Sequence, residues 1–148
     1  VRKRHEVAQV VASRNQPVDV EDILSRSPEA RAIPDSRSIL DRWLKMSEEV
    51  WLGTYDGQVA CVWGLVPPSI ISNRVYLWLL TTDLAEQHKF IFVRQSQLAI
   101  ENAFRRYDVI VGHVEVGNCA ARRWLRWLGA DIGVPENGFS TFKIRRRQ

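Results

Sequence analysis

Sulfur-bearing side chains are scarce in this chain: two Cys and one Met among 148 residues. Cys61 and Cys119 each lie in or beside an apolar run. Two such positions form neither a disulfide framework nor a metal-ligand spacing. Both are read as reduced thiols, no metal site is expected, and the setting implied is a reducing compartment or a particle assembled in one. Long apolar runs are missing too. None approaches the roughly 20 residues of a membrane-spanning helix, so no membrane partner is expected. The basic start Val1-Arg2-Lys3-Arg4 is not followed by the apolar core of a signal peptide. Repeats, low-complexity segments and an interdomain linker are all lacking, and the length fits one domain over residues 1–148.

Aromatic and basic residues, by contrast, are plentiful. Six Trp bring large areas to bury, and the hydrophobic share of 45% is that of an ordinary globular protein. The net charge is +4. Much of the basicity sits at the two ends, Arg2-Lys3-Arg4 and Arg145-Arg146-Arg147. These are either solvated termini or a docking surface for nucleic acid or an acidic protein. No helix-turn-helix, zinc-finger or ribonucleoprotein strand motif accompanies them.

Residues 1–47 read as helices and loops. Val7, Val10 and Val11 have helical spacing within Glu6–Ser13, and Pro17 interrupts. Val20–Leu24 predicts a short helix with Asp19 or Glu21 near its start. Ser27-Pro28 and Ile33-Pro34 punctuate. Asp35 or Ser36 can cap a third helix whose apolar stripe is Ile39, Leu40, Trp43, Leu44 and Met46. Glu49–Thr54 and Gln58–Val66 read as strands of a hairpin turned by Asp56-Gly57. Pro67-Pro68 ends the second, and Arg74–Thr82 is a strand apolar on both faces, hence covered on both sides.

Asp83–Tyr107 predicts one long helix. Phe92, Val93, Ser96, Ala99, Ile100, Ala103 and Phe104 line its inner face, and Arg94, Gln95, Glu101, Asn102 and Arg105 its outer one. Val109–Val116 is the next strand, Cys119–Leu128 a short helix, and Phe139–Ile144 a last strand after Pro135-Glu136-Asn137-Gly138. Strand–helix–strand units imply parallel pairing, and the hairpin adds an antiparallel part. The class is α/β of the mixed (α+β) kind: a twisted mixed sheet over 49–144 with helices on both faces, preceded by a helical part over 1–47.

The stretch Asn118 to Ala130 (strand exit, capping Asn, helix, then Gly129-Ala130) resembles the closing unit of the GNAT superfamily of N-acetyltransferases. The element order over residues 49–144 is similar to that fold. A narrower likeness rests on Trp78-Leu79-Leu80-Thr81-Thr82, on His88, Phe92, Arg94 and Ser96, on Asn118 to Gly129, and on Phe139-Ser140-Thr141-Phe142. That combination resembles GNAT-like internal virion and assembly proteins of short-tailed phages. It implies other virion or tail proteins as partners, in several copies, and a place in the virion, or in the host cytoplasm during assembly.

In active GNAT enzymes the strand before the long helix binds the pantetheine arm through its backbone, and amides at the helix start hold the diphosphate. Carried onto this chain, the resemblance assigns cofactor contacts to Leu79, Leu80, Thr81, His88, Lys89 and Asn118. Yet the usual Gln/Arg-x-x-Gly-x-Gly/Ala loop is replaced by Asp83-Leu84-Ala85-Glu86-Gln87-His88-Lys89-Phe90, which has no glycine. Asp83 and Glu86 place negative charge where a phosphate would sit, although carboxylates also suit a helix start as caps. His88 and Lys89 either meet a phosphate or face solvent. Asn118 either bonds a cofactor amide or caps its helix. Leu125 stands where many of these enzymes carry the Tyr that protonates the leaving thiolate.

His113 and Glu115 lie two apart on one strand and so share a face. They are the candidate acid/base pair, with a structural hydrogen bond as the alternative. Cys119 at a helix start is either a candidate nucleophile or an inert thiol. Arg122 and Arg126, four apart, can form a basic ridge, either a solvated face or a contact to an acidic partner protein, while Trp124, Leu125, Trp127 and Leu128 are expected to pack their helix onto the sheet.

The expected function is a phage virion-associated or assembly protein on an acyl-CoA N-acyltransferase scaffold, with acetyl transfer weak or lost and no cofactor. The alternative is an active acetyl-CoA-dependent N-acetyltransferase with an atypical cofactor loop. A module that binds nucleic acid through its basic ends ranks last.

Overall fold

A computed structural model describes residues 10–14 and 17–147, the first five of them and Ala32 by backbone alone. In chain order the elements are β1 (Val10–Arg14), α1 (Val20–Arg26), α2 (Pro28–Ala32), α3 (Ser36–Met46), β2 (Glu49–Tyr55), β3 (Gln58–Val66) and β4 (Arg74–Thr81). Then come α4 (Asp83–Gln87), α5 (Lys89–Ala103), β5 (Val109–Glu115), α6 (Cys119–Trp127), β6 (Asp131–Ile132) and β7 (Phe139–Arg145). The strands form a seven-stranded sheet in the order β1-β2-β3-β4-β5-β7-β6. β1 and β2 are antiparallel, as are β5 with β7 and β7 with β6, whereas β4 and β5 are parallel. The expected mixed sheet is therefore present. Packing groups the described residues into two compact units. The first takes residues up to Gly64 together with Leu79–Phe92; the second takes Leu65–Trp78 and the residues from Val93 onward.

In the first unit the helix starts are set by side-chain caps. Asp19 accepts the Asp22 amide at 3.1 Å, and Ser27 Oγ accepts the Ala30 amide at 3.3 Å. Ser27-Pro28 thus opens α2 rather than merely interrupting the chain, because proline at the first helical position loses no bond there. Asp35 does occupy the cap position of α3, but in a left-handed conformation (φ 58°) and without a side-chain cap bond. Ile23 and Leu40 are fully buried, while Met46 of the expected stripe is 54% exposed at the helix end. The hairpin turn has positive φ at both Asp56 and Gly57 (50° and 81°), the geometry that matches strand twist. On one face of that hairpin Trp51 and Trp63 stack with centroids 5.9 Å apart. Beside them Gly53 lets Cys61 pack against its backbone and brings the Phe92 ring close.

Two expectations fail here. Val10–Ser13 belongs to a strand and not to a helix: five residues pair with Trp51–Tyr55, and sheet pairing outweighs a helical spacing carried by β-branched valines. The rest of that predicted helix, Glu6–Gln9, lies outside the described residues. The long helix 83–107 is broken at His88, whose backbone (φ −127°, ψ 52°) is not helical, and ends at Ala103.

In the second unit, β5 alternates cleanly. Ile110, Gly112 and Val114 are buried, and Val111, His113 and Glu115 face the other way. α6 is held to α5 by Trp124 Nε1, which donates to Ser96 Oγ at 2.8 Å. Leu125 is buried, but Trp127 is 54% exposed and does not join the packing face. β6, a two-residue strand absent from the sequence reading, lines β7 through Asp131↔Lys143 and Ile132↔Phe142.

Gly112 is the tightest point of this unit. A Cβ there would lie 2.5 Å from the Phe142 ring and 2.7 Å from the Leu77 carbonyl oxygen. Gly112→Ala is expected to cost about 1–3 kcal/mol through overpacking. Gly117→Ala, with nothing within 4 Å of its Cβ, should stay within about 0.5 kcal/mol of the parent. Urea unfolding of the two variants measures both.

Candidate functional site

The junction of β4 and α4 belongs to the first unit and is tied together by two charged residues from α1 and α2. Arg26, at the end of α1, donates through Nη2 to the Val59 carbonyl at 2.9 Å and to Thr82 Oγ1 at 3.2 Å. Its Nε pairs with Asp83 at 3.3 Å, and Nη1 with Asp22 at 2.9 Å. Thr82 is fully buried and caps α4, accepting the Leu84 amide while its hydroxyl reaches the Val59 carbonyl at 3.0 Å. One residue earlier, the Thr81 amide donates to Glu29 Oε1 at 2.7 Å. The Thr81 hydroxyl bonds the same carboxylate through both of its oxygens at 2.9 Å. Asp83 and Glu86 stand in the first turn of α4, where carboxylates suit the helix dipole.

The residues that the sequence assigns to a cofactor take these places. Leu79 is half-buried and Leu80 buried on the last part of β4; that strand pairs with β5 from Arg74↔Val109 to Tyr76↔Val111 and then continues to Thr81. The Thr81 amide is engaged by Glu29. The His88 amide donates to the Leu84 carbonyl at 3.1 Å, and its ring stacks on Tyr55 with centroids 3.8 Å apart. Lys89 and Phe90 are exposed at the start of α5. Asn118 caps α6, accepting the Ala121 amide at 3.1 Å, so its side-chain oxygen is committed to the helix.

In the second unit His113 and Glu115 share one face of β5, His113 exposed and Glu115 half-buried. His113 Nδ1 lies 3.1 Å from the hydroxyl of Tyr76 on the parallel neighbour β4. Burial raises the Tyr76 pKa, so the phenol keeps its proton. Two tautomers of His113 follow. When Tyr76 donates to Nδ1, the proton sits on Nε2 and the exposed nitrogen is a donor. When Nδ1–H donates to the phenol oxygen, Nε2 is an acceptor and can serve as a base.

Leu125 is buried and offers no proton. The ridge expected of Arg122 and Arg126 does not form, since half-buried Arg122 turns to Ser140 Oγ at 3.4 Å while Arg126 is exposed. Among the described residues no group of three or more His, Cys, Asp or Glu is placed to hold a metal, and no helix is long and apolar enough to cross a membrane.

Sequence reasoning missed Glu29, Arg26 and Tyr76. Glu29 and Thr81 are separated by 52 positions, and only the fold brings them together. The available signal was the neighbouring Ser27-Pro28, which starts a helix and thereby aims its second residue, Glu29.

No family profile matches the chain, and no curated protein matches it in sequence. Its fold does match solved structures. An acetyltransferase of Bacillus subtilis, crystallised with CoA, superposes with a TM-score of 0.69 at 13% identity, covering 94% of this chain and all of that one. The ribosomal-protein-S18-alanine N-acetyltransferase of Escherichia coli gives 0.70 at 14% identity, covering 95% and 96%. The IAA acetyltransferase of Bacillus cereus gives 0.68 at 13%, covering 93% and 100%. The architecture is that of the GNAT N-acetyltransferases.

The two thiols differ sharply. Cys61 is buried against Gly53, and burial pushes its pKa from 9.0 up to about 12, whereas Cys119 is exposed. A thiol reagent at pH 8 should modify one cysteine in the native protein, and none after Cys119→Ser. Because unfolded Cys61 ionises near pH 9 and the folded residue near 12, stability tied to this thiol is intact below pH 9 and declines above it. The decline is expected at about 1.4 kcal/mol per pH unit until the folded thiol ionises, and Cys61→Ala should remove it. Urea midpoints at pH 8.5 and 10.5 test this.

Proposed function

We propose that this chain is an acyl-CoA N-acyltransferase scaffold in which acetyl transfer is weak or lost. It acts through protein contacts as a virion-associated or assembly protein of a short-tailed phage, with other virion or tail proteins as partners. The observation that carries the loss of transfer is the junction of β4 and α4. The backbone expected to receive a cofactor is engaged by the chain's own groups, the Thr81 amide by Glu29 and the His88 amide by Leu84. The cap of α4 is met by Thr82, with Asp83 and Arg26 beside it. A diphosphate would have to displace these bonds and approach the carboxylates of Asp83 and Glu86 without a glycine to open the backbone. Buried Leu125 supplies no proton to a leaving thiolate. The virion assignment is supported by the residue string from Trp78 to Phe142, and contact by apolar side chains left in solvent, Phe90, Ile70 and Ile71 among them.

One observation favours a second reading, an active acetyl-CoA-dependent N-acetyltransferase. Tyr76 can hold His113 in the tautomer that leaves Nε2 free to accept a proton from an amine, with Glu115 on the same face. In that reading CoA is held through the backbone of Leu79–Thr81 and needs Glu29 to release the Thr81 amide.

Calorimetric titration with acetyl-CoA separates the two readings. The first expects no saturable binding tighter than about 1 mM, and expects the protein in purified virions by mass spectrometry. Micromolar binding, with transfer to an amine that falls at least about 100-fold in His113→Ala, would establish the second.

A further inference from the structure

We infer that the end of the second unit where β4 and β5 begin is an arginine-built docking surface for a nucleic-acid backbone. This is independent of whether acetyl transfer survives, and it differs from docking through the chain ends alone.

The charge of the chain is unevenly divided. Leu65–Trp78 and the residues from Val93 onward contain ten Arg and one Lys against five Asp and Glu, a net of +6, whereas the whole chain carries +4. Topology gathers most of that charge at one end. β4 and β5 are parallel and β7 is antiparallel to β5, so Arg74 opens β4 beside Val109, and Val109 pairs across with Arg145. Directly paired residues point to one face, which puts Arg74 and Arg145 on the same side, two strands apart.

Asp108 ties the surrounding segments to this place. Its amide donates to the Asn73 carbonyl at 2.7 Å, its carboxylate accepts from Asn73 Nδ2 at 3.2 Å, and it pairs with Arg146. Arg146 also donates to the Phe104 carbonyl at 2.7 Å, which fastens the end of β7 to the exit of α5 beside Arg105 and Arg106. The Arg147 guanidinium sits 3.6 Å from where a Cβ on Gly129 would be, so it lies at the exit of α6, near Arg126. Arg74, Arg105, Arg126, Arg145 and Arg147 are all exposed, as is Arg106, whose guanidinium lies 5.2 Å from the Tyr107 ring centroid. Of the acidic groups on these elements, Asp108 is paired with Arg146, Asp131 sits in register with Lys143 on β7, and exposed Glu101 precedes Arg105 by four residues.

The composition selects the partner. Guanidinium groups present planar forks that fit phosphate oxygens, and here Arg outnumbers Lys ten to one. The exposed Trp127 ring follows Arg126 and offers a stacking face of the kind single-stranded bases use. Like charges gathered this way repel one another and weaken the folded state unless an external polyanion neutralises them.

The test is fluorescence anisotropy of the full chain with labelled DNA of mixed sequence, single-stranded and duplex, at several salt concentrations. Five phosphate contacts give log K against log salt a slope of about −4.5 on duplex, and affinity falls about 500-fold between 50 and 200 mM. Replacing Arg105, Arg126 and Arg147 together by Gln should weaken binding at least about tenfold and reduce the slope by about 2–3. The same three changed to Lys should keep the slope, which covers the case in which the Gln variant folds poorly. Arg31, Arg42 and Lys45, exposed on helices of the first unit, provide a control of equal charge when changed to Gln, with binding retained. The inference is overturned if binding lacks this salt dependence, or if the control weakens it as much as the pole variant. It is also overturned if polyglutamate of matched charge displaces DNA equally well, which would mark the surface as one for acidic proteins.

Discussion

The half-buried guanidinium of Arg26 is the interaction on which the first unit turns. A single side chain reaches a strand carbonyl (Val59), the capping hydroxyl of α4 (Thr82) and two carboxylates (Asp22 and Asp83). Holding a cation in partial shelter is unfavourable unless its donors are met, and here all three of its nitrogens are. The exposed Asp83 contact adds little by itself; the sheltered bonds to Val59 and Thr82 matter more. Glu29 does for β4 what Arg26 does for α4, bonding the Thr81 amide and hydroxyl with one carboxylate. Together the two residues weld α1 and α2 onto the strand end and the helix start that follows it.

That weld bears on the proposed loss of transfer because it engages groups that the resemblance assigns to a coenzyme. A helix start attracts an anion only while its amides and dipole are unanswered. Here the Thr82 cap, the acidic first turn and the guanidinium behind them answer α4 from within. α4 itself is one five-residue turn, and the chain breaks at His88 before α5 begins. Apolar spacing alone predicts a continuous helix over 83–107, because both pieces place apolar residues inward and the non-helical residue between them is a histidine whose stacking on Tyr55 has no local signature.

Legibility in the sequence followed the range of the interactions. Elements set by local chemistry were readable: the Asp56-Gly57 hairpin, the Asp19 and Asn118 caps, the alternation of β5. Elements set by partners far along the chain were not. Val10–Arg14 carries valines at helical spacing, yet its pairing with Trp51–Tyr55 makes it a strand. Asp131–Ile132 is too short to show a period and exists because β7 offers an edge. The candidate site divides in the same way. That His113 and Glu115 share a face could be read from spacing two, but the Tyr76 hydroxyl that bonds His113 Nδ1 is 37 positions away and appears only through the parallel register of β4 and β5. The missing glycines and Leu125 were visible at once; the carboxylate that fills the Thr81 amide was not.

The second unit separates two chemistries by strand direction. Because β4 and β5 run the same way, His113, Glu115 and the start of α6 collect where β5 ends, and the arginines collect where it begins. Part of that placement has a local cause: α6 ends where β5 starts, and its terminal carbonyls favour a cation such as Arg126. Helix ends also bear on Arg105, just past α5, and on Arg147, at the exit of α6. Arg74 and Arg145 are on strands and gain nothing from a helix end. Arg146 shows what an arginine does here when the chain does supply an acceptor: it is spent on Asp108 and the Phe104 carbonyl. The others stand at the surface around it, Arg106 lying over the Tyr107 ring, a charge that folding gathers and that an external polyanion would neutralise.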